Sequence, residues 1–132
     1  RLSGAFPVKR DRRDQWAMRQ AGRVLAAGQM LTMFPEGTRS GHPAALRRGK
    51  PGTVSLALEH GVPIVPLAIL GTQKIKLGRA RPQITVQFGR PFDATAQAGS
   101  PPHTPETIRE LTRLLMQRIA AMLPPEHRGI YG

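Results

Sequence analysis

The sequence predicts an α/β fold, a largely parallel central sheet flanked by helices, and three observations carry that expectation. Short apolar runs at residues 5–8, 30–34, 63–69 and 83–88 alternate with stretches of helical period at residues 15–27 and 52–60. Cap and stop residues, Asp14 before the first helix, Gly28 after it and Gly61 after the second, mark the changes of period. The longest uninterrupted apolar run, Val62 to Leu70, is nine residues with two prolines. That is a strand, far short of the ~20 residues needed to span a bilayer.

Taken in order, the opening strand gives way to the charged run Lys9 to Asp14, and Asp14 caps a helix to Ala27. Trp16, Met18, Ala21, Val24 and Leu25 form its apolar stripe, with Arg19, Gln20 and Arg23 facing outward. A strand over residues 30–34 leads into a polar loop, and a short helix from Gly52 or Thr53 to His60 precedes a buried strand at 63–69. The strand at 83–88 alternates apolar and polar residues, as a half-exposed position requires. Residues 94–103, rich in Ala, Gly, Ser and Pro, read as a linker. Thr104 then caps a helix with Pro105 at its first position, and Ile108, Leu111, Leu115, Ile119 and Met122 line one face. The expected division is 1–93, a linker at 94–103, an amphipathic helix at 104–123 and a mobile tail at 124–132.

Twenty Lys and Arg against eight Asp and Glu give a formal charge of +12, which calls for an anionic partner. Residues 1–50 hold eleven basic and three acidic groups, residues 51–90 five and one, and residues 91–132 four of each. The excess therefore lies in the first two thirds of the chain. An anionic membrane surface fits this distribution, since each basic residue near such a surface adds about 1 kcal/mol. Nucleic acid is disfavoured, because no zinc spacing, aromatic-bearing basic helix or reader motif is present. The absence of cysteine excludes disulfides and thiol catalysis.

The most informative stretch is Phe34-Pro35-Glu36-Gly37-Thr38-Arg39-Ser40, directly behind the apolar run Met30 to Met33. Pro35 removes a ladder donor, and Gly37 permits a close backbone approach or a positive φ. The Arg39 guanidinium, always charged and forked, suits a phosphate. The same residues also make an ordinary solvated turn. Lys9, Arg12, Arg13, Arg47, Arg48 and Lys50 supply a basic rim for phosphate or a thioester carrier, or simply a solvated face.

The heptad resembles a block of the glycerolipid acyltransferase family, whose members include enzymes that acylate lysophosphatidic acid. Gly4-Ala5-Phe6-Pro7-Val8-Lys9-Arg10 is similar to the family's second block, and Val62-Pro63-Ile64-Val65-Pro66-Leu67-Ala68-Ile69 to its fourth. Ile84 to Phe92 resembles the strand and turn that follow in relatives, so the likeness reaches about residue 93. The family's His-x-x-x-x-Asp pair is missing. The fifth residues after His42, His60, His103 and His127 are Arg47, Val65, Ile108 and Gly132. The chain is accordingly expected to be the C-terminal part of a longer acyltransferase, its glycerol-phosphate acyltransferase-like fold incomplete at the N-terminal side and its catalytic half upstream.

The resemblance implies transfer of a fatty-acyl group from a coenzyme A or acyl carrier protein thioester to the hydroxyl of lysophosphatidic acid, giving phosphatidic acid. It implies no cofactor and no metal. In the family the histidine deprotonates the acceptor hydroxyl and the aspartate orients it, because a hydroxyl is a poor nucleophile until a base within reach takes its proton. By the same resemblance Arg39 contacts the glycerol phosphate, Arg10 is a second cation for it, and Glu36, Gly37 and Thr38 shape the site. No catalytic residue is assigned within the chain. Glycerol 3-phosphate as acceptor, and a non-catalytic module for anionic lipid or nucleic acid, are the alternative readings. The expected location is the cytoplasmic face of a membrane, peripheral or anchored by segments outside these residues.

Overall fold

A computed structural model describes residues 4–6, 14–37, 45–72 and 83–132. The first helix, α1, spans Gln15–Ala26 and starts where Asp14 accepts a hydrogen bond from the Ala17 N–H at 3.0 Å. It ends with the Gly28 N–H donating to the Leu25 carbonyl at 2.9 Å. Of the expected apolar stripe Ala21 is fully buried, together with Ala17 and Gly22, while Met18, Val24 and Leu25 are half-buried. The helix that follows, α2 (Gly52–His60), comes so near that a β-carbon on Gly22 would stand 2.8 Å from the His60 ring nitrogen Nε2. Only small residues admit that approach. Trp16 is left 43% exposed, edge-on to Phe6 at 6.2 Å between ring centres.

Strand β1 (Leu67–Leu70) pairs antiparallel with β2 (Thr85–Phe88), in the register Leu67 to Phe88 and Ile69 to Val86. An isolated bridge between Ile64 and Phe92 extends the ladder, and the Gly89 N–H donates to the Pro66 carbonyl at 2.8 Å. The largely parallel sheet expected from the sequence is thus not what the described residues form. The reason lies in the connection: parallel neighbours need a crossover, usually a helix, and residues 71–84 carry no helical pattern. Residues 30–34, expected as a strand, pair with no strand among the described residues.

The run at 63–69 is not buried on both faces either. Ala68 is buried, whereas Leu67, Ile69, Val86 and Phe88 share one face and are 36%, 42%, 47% and 71% exposed. Beneath the covered face lies the core, where Val54 of α2 and Phe92 meet Leu111, Leu115, Met116 and Ile119 of α4.

That last helix, α4 (Pro105–Ala121), begins as the sequence predicts: the Thr104 hydroxyl accepts from the Thr107 N–H at 3.2 Å, and Pro105 occupies the first turn. Ahead of it, the expected linker holds a five-residue helix, α3 (Ala94–Ala98), whose Asp93 side chain accepts from the Ala96 N–H at 3.0 Å. The Arg118 guanidinium lies 5.0 Å from the centre of the buried Phe92 ring, a cation–π contact. Beyond α4 the chain makes two 3₁₀ turns, Pro125–His127 and Gly129–Tyr131. These residues, expected to be mobile, are tied back to the fold.

On the solvent side of α4, Glu106 pairs with Arg109 and Glu110 with Arg113. The backbone N–H of Glu106, ahead of Arg109, holds the Glu106 carboxyl below the ordinary value of 4.5, and the hydrogen bond from Arg113 does the same for Glu110. A folded-state pKa below the unfolded one adds stability above the unfolded value, which is lost as pH falls through the folded value. Thermal midpoints should therefore fall as the pH drops below 4.5, with a shallower slope in Glu106→Gln, Glu110→Gln. An unchanged slope in that double variant would show both pairs to be fully solvated.

Candidate functional site

Phe34 to Gly37 form a four-residue turn closed by the Gly37 N–H donating to the Phe34 carbonyl at 3.0 Å. Proline at the first corner and glycine at the last are what such a turn favours. Gly37 has a φ of +68°, which a side-chain-bearing residue resists.

The turn is stitched to residues 45–50 at two points. The Arg47 N–H donates to Glu36 Oε2 at 2.8 Å, and the Lys50 N–H donates to the Pro35 carbonyl at 2.7 Å. The Glu36 carboxylate thus holds its own loop to the 45–50 segment. Arg47 contributes through its backbone, and its side chain, like that of Arg48, is exposed. The Lys50 side chain folds over Gly37, so that a β-carbon there would stand 2.8 Å from Cδ and 3.0 Å from Nζ.

Residues 45–50 are themselves clamped from below. The Leu46 N–H donates to the His127 carbonyl at 3.0 Å, and the Gly49 N–H to the Tyr131 hydroxyl at 3.1 Å. Gly49 comes down onto α4 so closely that a β-carbon would lie 2.6 Å from Met116 Cγ. The result is one connected path from the chain's last residues, through the 45–50 segment, to the Glu36-Gly37 turn.

Of the residues predicted for the site, Glu36 and Gly37 lie together in this turn. Arg10, Thr38 and Arg39 lie outside the described residues, as do Lys9, Arg12 and Arg13 of the basic rim. Tyr131 and His127 did not stand out in the sequence. Their contribution is a contact across more than 80 positions, and no local pattern signals it. Among the described residues no group of three or more His, Asp or Glu side chains is placed to hold a metal, and no helix is long and apolar enough to cross a membrane. A shallow cleft between α1 and α2, lined by Gln15, Met18, Arg19, Ser55 and Glu59, includes none of the turn's residues.

Comparison with known proteins bears on the same region. The family model described as Acyltransferase matches residues 1–70, which include the turn and the 45–50 segment. A 1-acyl-sn-glycerol-3-phosphate acyltransferase of Chlamydomonas reinhardtii is 33% identical over 135 residues, covering 97% of this chain and 37% of that protein. The enzyme of the same name from Bacillus subtilis is 29% identical over 115 residues, 87% of this chain and 55% of its own length. One from Limnanthes alba is 42% identical over 82 residues, 58% of this chain and 29% of its own. The chain thus spans between about a third and about half of these relatives' lengths. No solved structure gives a significant match.

Proposed function

The chain belongs to the acyltransferase family, and from that premise we propose that it is the acceptor-binding part of an enzyme that acylates lysophosphatidic acid to phosphatidic acid. The observation that carries the reading is the Glu36-Gly37 turn, fixed by hydrogen bonds from two residues of the 45–50 segment and followed in the sequence by Thr38 and Arg39. Relatives that carry the name 1-acyl-sn-glycerol-3-phosphate acyltransferase support the choice of acceptor.

In this reading Arg39 and Arg10 hold the acceptor's phosphate, and Glu36, Gly37 and Thr38 keep the turn in shape. A histidine and aspartate outside residues 1–132 take the proton from the free hydroxyl. The oxygen attacks the thioester carbonyl of an acyl-coenzyme A or acyl carrier protein, and the tetrahedral intermediate collapses by expelling the thiolate. In the whole domain parallel strands join the antiparallel β1–β2 pair at its edge, and a further layer covers the apolar face of Leu67, Ile69, Val86 and Phe88. The basic excess of the first ninety residues favours work at the surface of an anionic membrane.

The test is mass spectrometry of the lipids formed by the whole protein with acyl-coenzyme A and a panel of acceptors. Phosphatidic acid formed from lysophosphatidic acid is the expected product. Acylation of glycerol 3-phosphate in its place would reassign the acceptor, and binding of anionic vesicles without any acyl transfer would leave a binding module. Residues 1–132 alone are expected to turn over no thioester.

A further inference from the structure

We propose that the outward face of α1 docks on the headgroup layer of an anionic membrane, with Trp16 as its aromatic anchor and Arg19 and Arg23 as the cations that meet the lipid phosphates. The proposal rests on the reading of the protein as one that works at an anionic membrane, and not on any role of the Glu36-Gly37 turn. At about 100° of rotation per residue, positions 16, 19 and 23 fall within a sector about 60° wide, opposite the buried Ala17, Ala21 and Gly22. One face carries all three. Both arginines are exposed there, and Trp16 keeps 43% of its surface open. The Phe6 ring stands edge-on to the indole at 6.2 Å, so two aromatic rings share this end of the helix.

The helix has no acid of its own. Asp14, just ahead of it, turns its carboxylate to the Ala17 N–H at the helix start. Glu59 of α2 lines the same shallow cleft as Arg19 but forms no ion pair with it, since the ion pairs among the described residues both lie on α4. A covering protein segment would have to supply a carboxylate to each guanidinium or strip it of water unpaired, which is costly. Lipid phosphates meet both guanidiniums with acceptors and leave them hydrated. The indole suits the same boundary, because tryptophan collects where its ring is in apolar surroundings and its N–H is wet. At 12 residues, about 18 Å, α1 is too short to cross a bilayer, and its small-residue face is taken by α2. The contact is therefore electrostatic, with the helix lying along the surface, and not insertion of an apolar helix face.

The test is the emission of Trp16, the one tryptophan of residues 1–132, read in the whole protein as the difference between the unaltered chain and Trp16→Phe. With vesicles of phosphatidylcholine and phosphatidylglycerol it should shift to the blue and be quenched by lipids brominated near the top of the acyl chains. Phosphatidylcholine alone should do this far less. Arg19→Gln, Arg23→Gln should bring the quenching down to the level in neutral vesicles, since two basic residues at such a surface together favour the docked state about 30-fold. Both positions are exposed, so the double variant should fold, and a thermal melt checks it. It should also acylate a short-chain lysophosphatidic acid dissolved as monomers within about twofold of the unaltered rate. Quenching that is equal in the two kinds of vesicle, or unchanged in the double variant, overturns the proposal. Protection of Trp16 from both brominated lipid and dissolved iodide also overturns it, assigning the face to another segment of the protein. A shift with an RNA oligonucleotide and none with vesicles would assign the face to nucleic acid, and loss of activity on the monomeric acceptor would move the arginines to the substrate site. Because the emission needs no turnover, failure of the whole protein to acylate lysophosphatidic acid removes the acceptor reading alone.

Discussion

Arg39→Ala in the whole protein should lower kcat/KM for lysophosphatidic acid about 100-fold, most of it through the acceptor KM. A forked guanidinium makes two parallel charge-assisted hydrogen bonds to a phosphate, and hydrogen bonds to charged groups contribute about 1.5–3 kcal/mol each, so losing the pair costs roughly 3 kcal/mol. The loss falls on KM because the phosphate is remote from the reacting hydroxyl, and its grip is nearly the same in ground and transition states. Arg39→Lys should recover only part of the affinity, since an ammonium keeps the charge and loses the fork. Arg10→Ala should act in the same direction and less strongly. Rates unchanged at low acceptor concentration in Arg39→Ala would remove the arginine from the site. The donor KM is the internal control: it should not move.

How far this site was legible in the sequence depends on the range of the interaction concerned. The turn at Phe34 to Gly37 was readable because Pro35 and Gly37 constrain the backbone locally, whatever surrounds them. The helix starts were readable for the same reason, through Asp14 at α1 and Thr104 with Pro105 at α4. The sheet was not. Apolar period tells which face of a strand seeks cover but not which strand lies beside it, so antiparallel β1 and β2 were read as members of a parallel sheet. A continuous apolar run such as Val62 to Leu70 likewise does not distinguish one covered face from two. On α1 the large residues drew attention, while Gly22, which lets His60 approach, decided the packing. The support beneath the turn was least visible of all, because Tyr131 and Gly49 are 82 positions apart and neither belongs to a pattern.

That support makes the second prediction. Gly129→Ala should destabilise the whole protein by about 3 kcal/mol and raise the acceptor KM, although Gly129 is nowhere in the turn. Its φ is +56°, and a β-carbon there would stand 2.0 Å from the Leu46 carbonyl oxygen, too close for any rotation to relieve because the added atom and its neighbour are both fixed to backbone. The left-handed conformation alone costs a residue with a side chain about 1–2 kcal/mol. Relief of the clash requires the 3₁₀ turn to lift away from residues 45–50, which takes with it the bonds from Leu46 to His127 and from Gly49 to Tyr131, each contributing about 1 kcal/mol. Once lifted, the 45–50 segment loses its floor, and with it the geometry that presents the Arg47 and Lys50 N–H groups to Glu36 and Pro35. Tyr131→Phe separates the two consequences. It removes only the hydroxyl that accepts from Gly49, so it should lower stability by about 1 kcal/mol and raise the acceptor KM by a smaller factor. Urea unfolding and acceptor kinetics on the two variants measure both effects. If Gly129→Ala shifts the unfolding midpoint but leaves the acceptor KM unaltered, the chain's last residues brace the core alone and the path from Tyr131 to the turn carries no functional load.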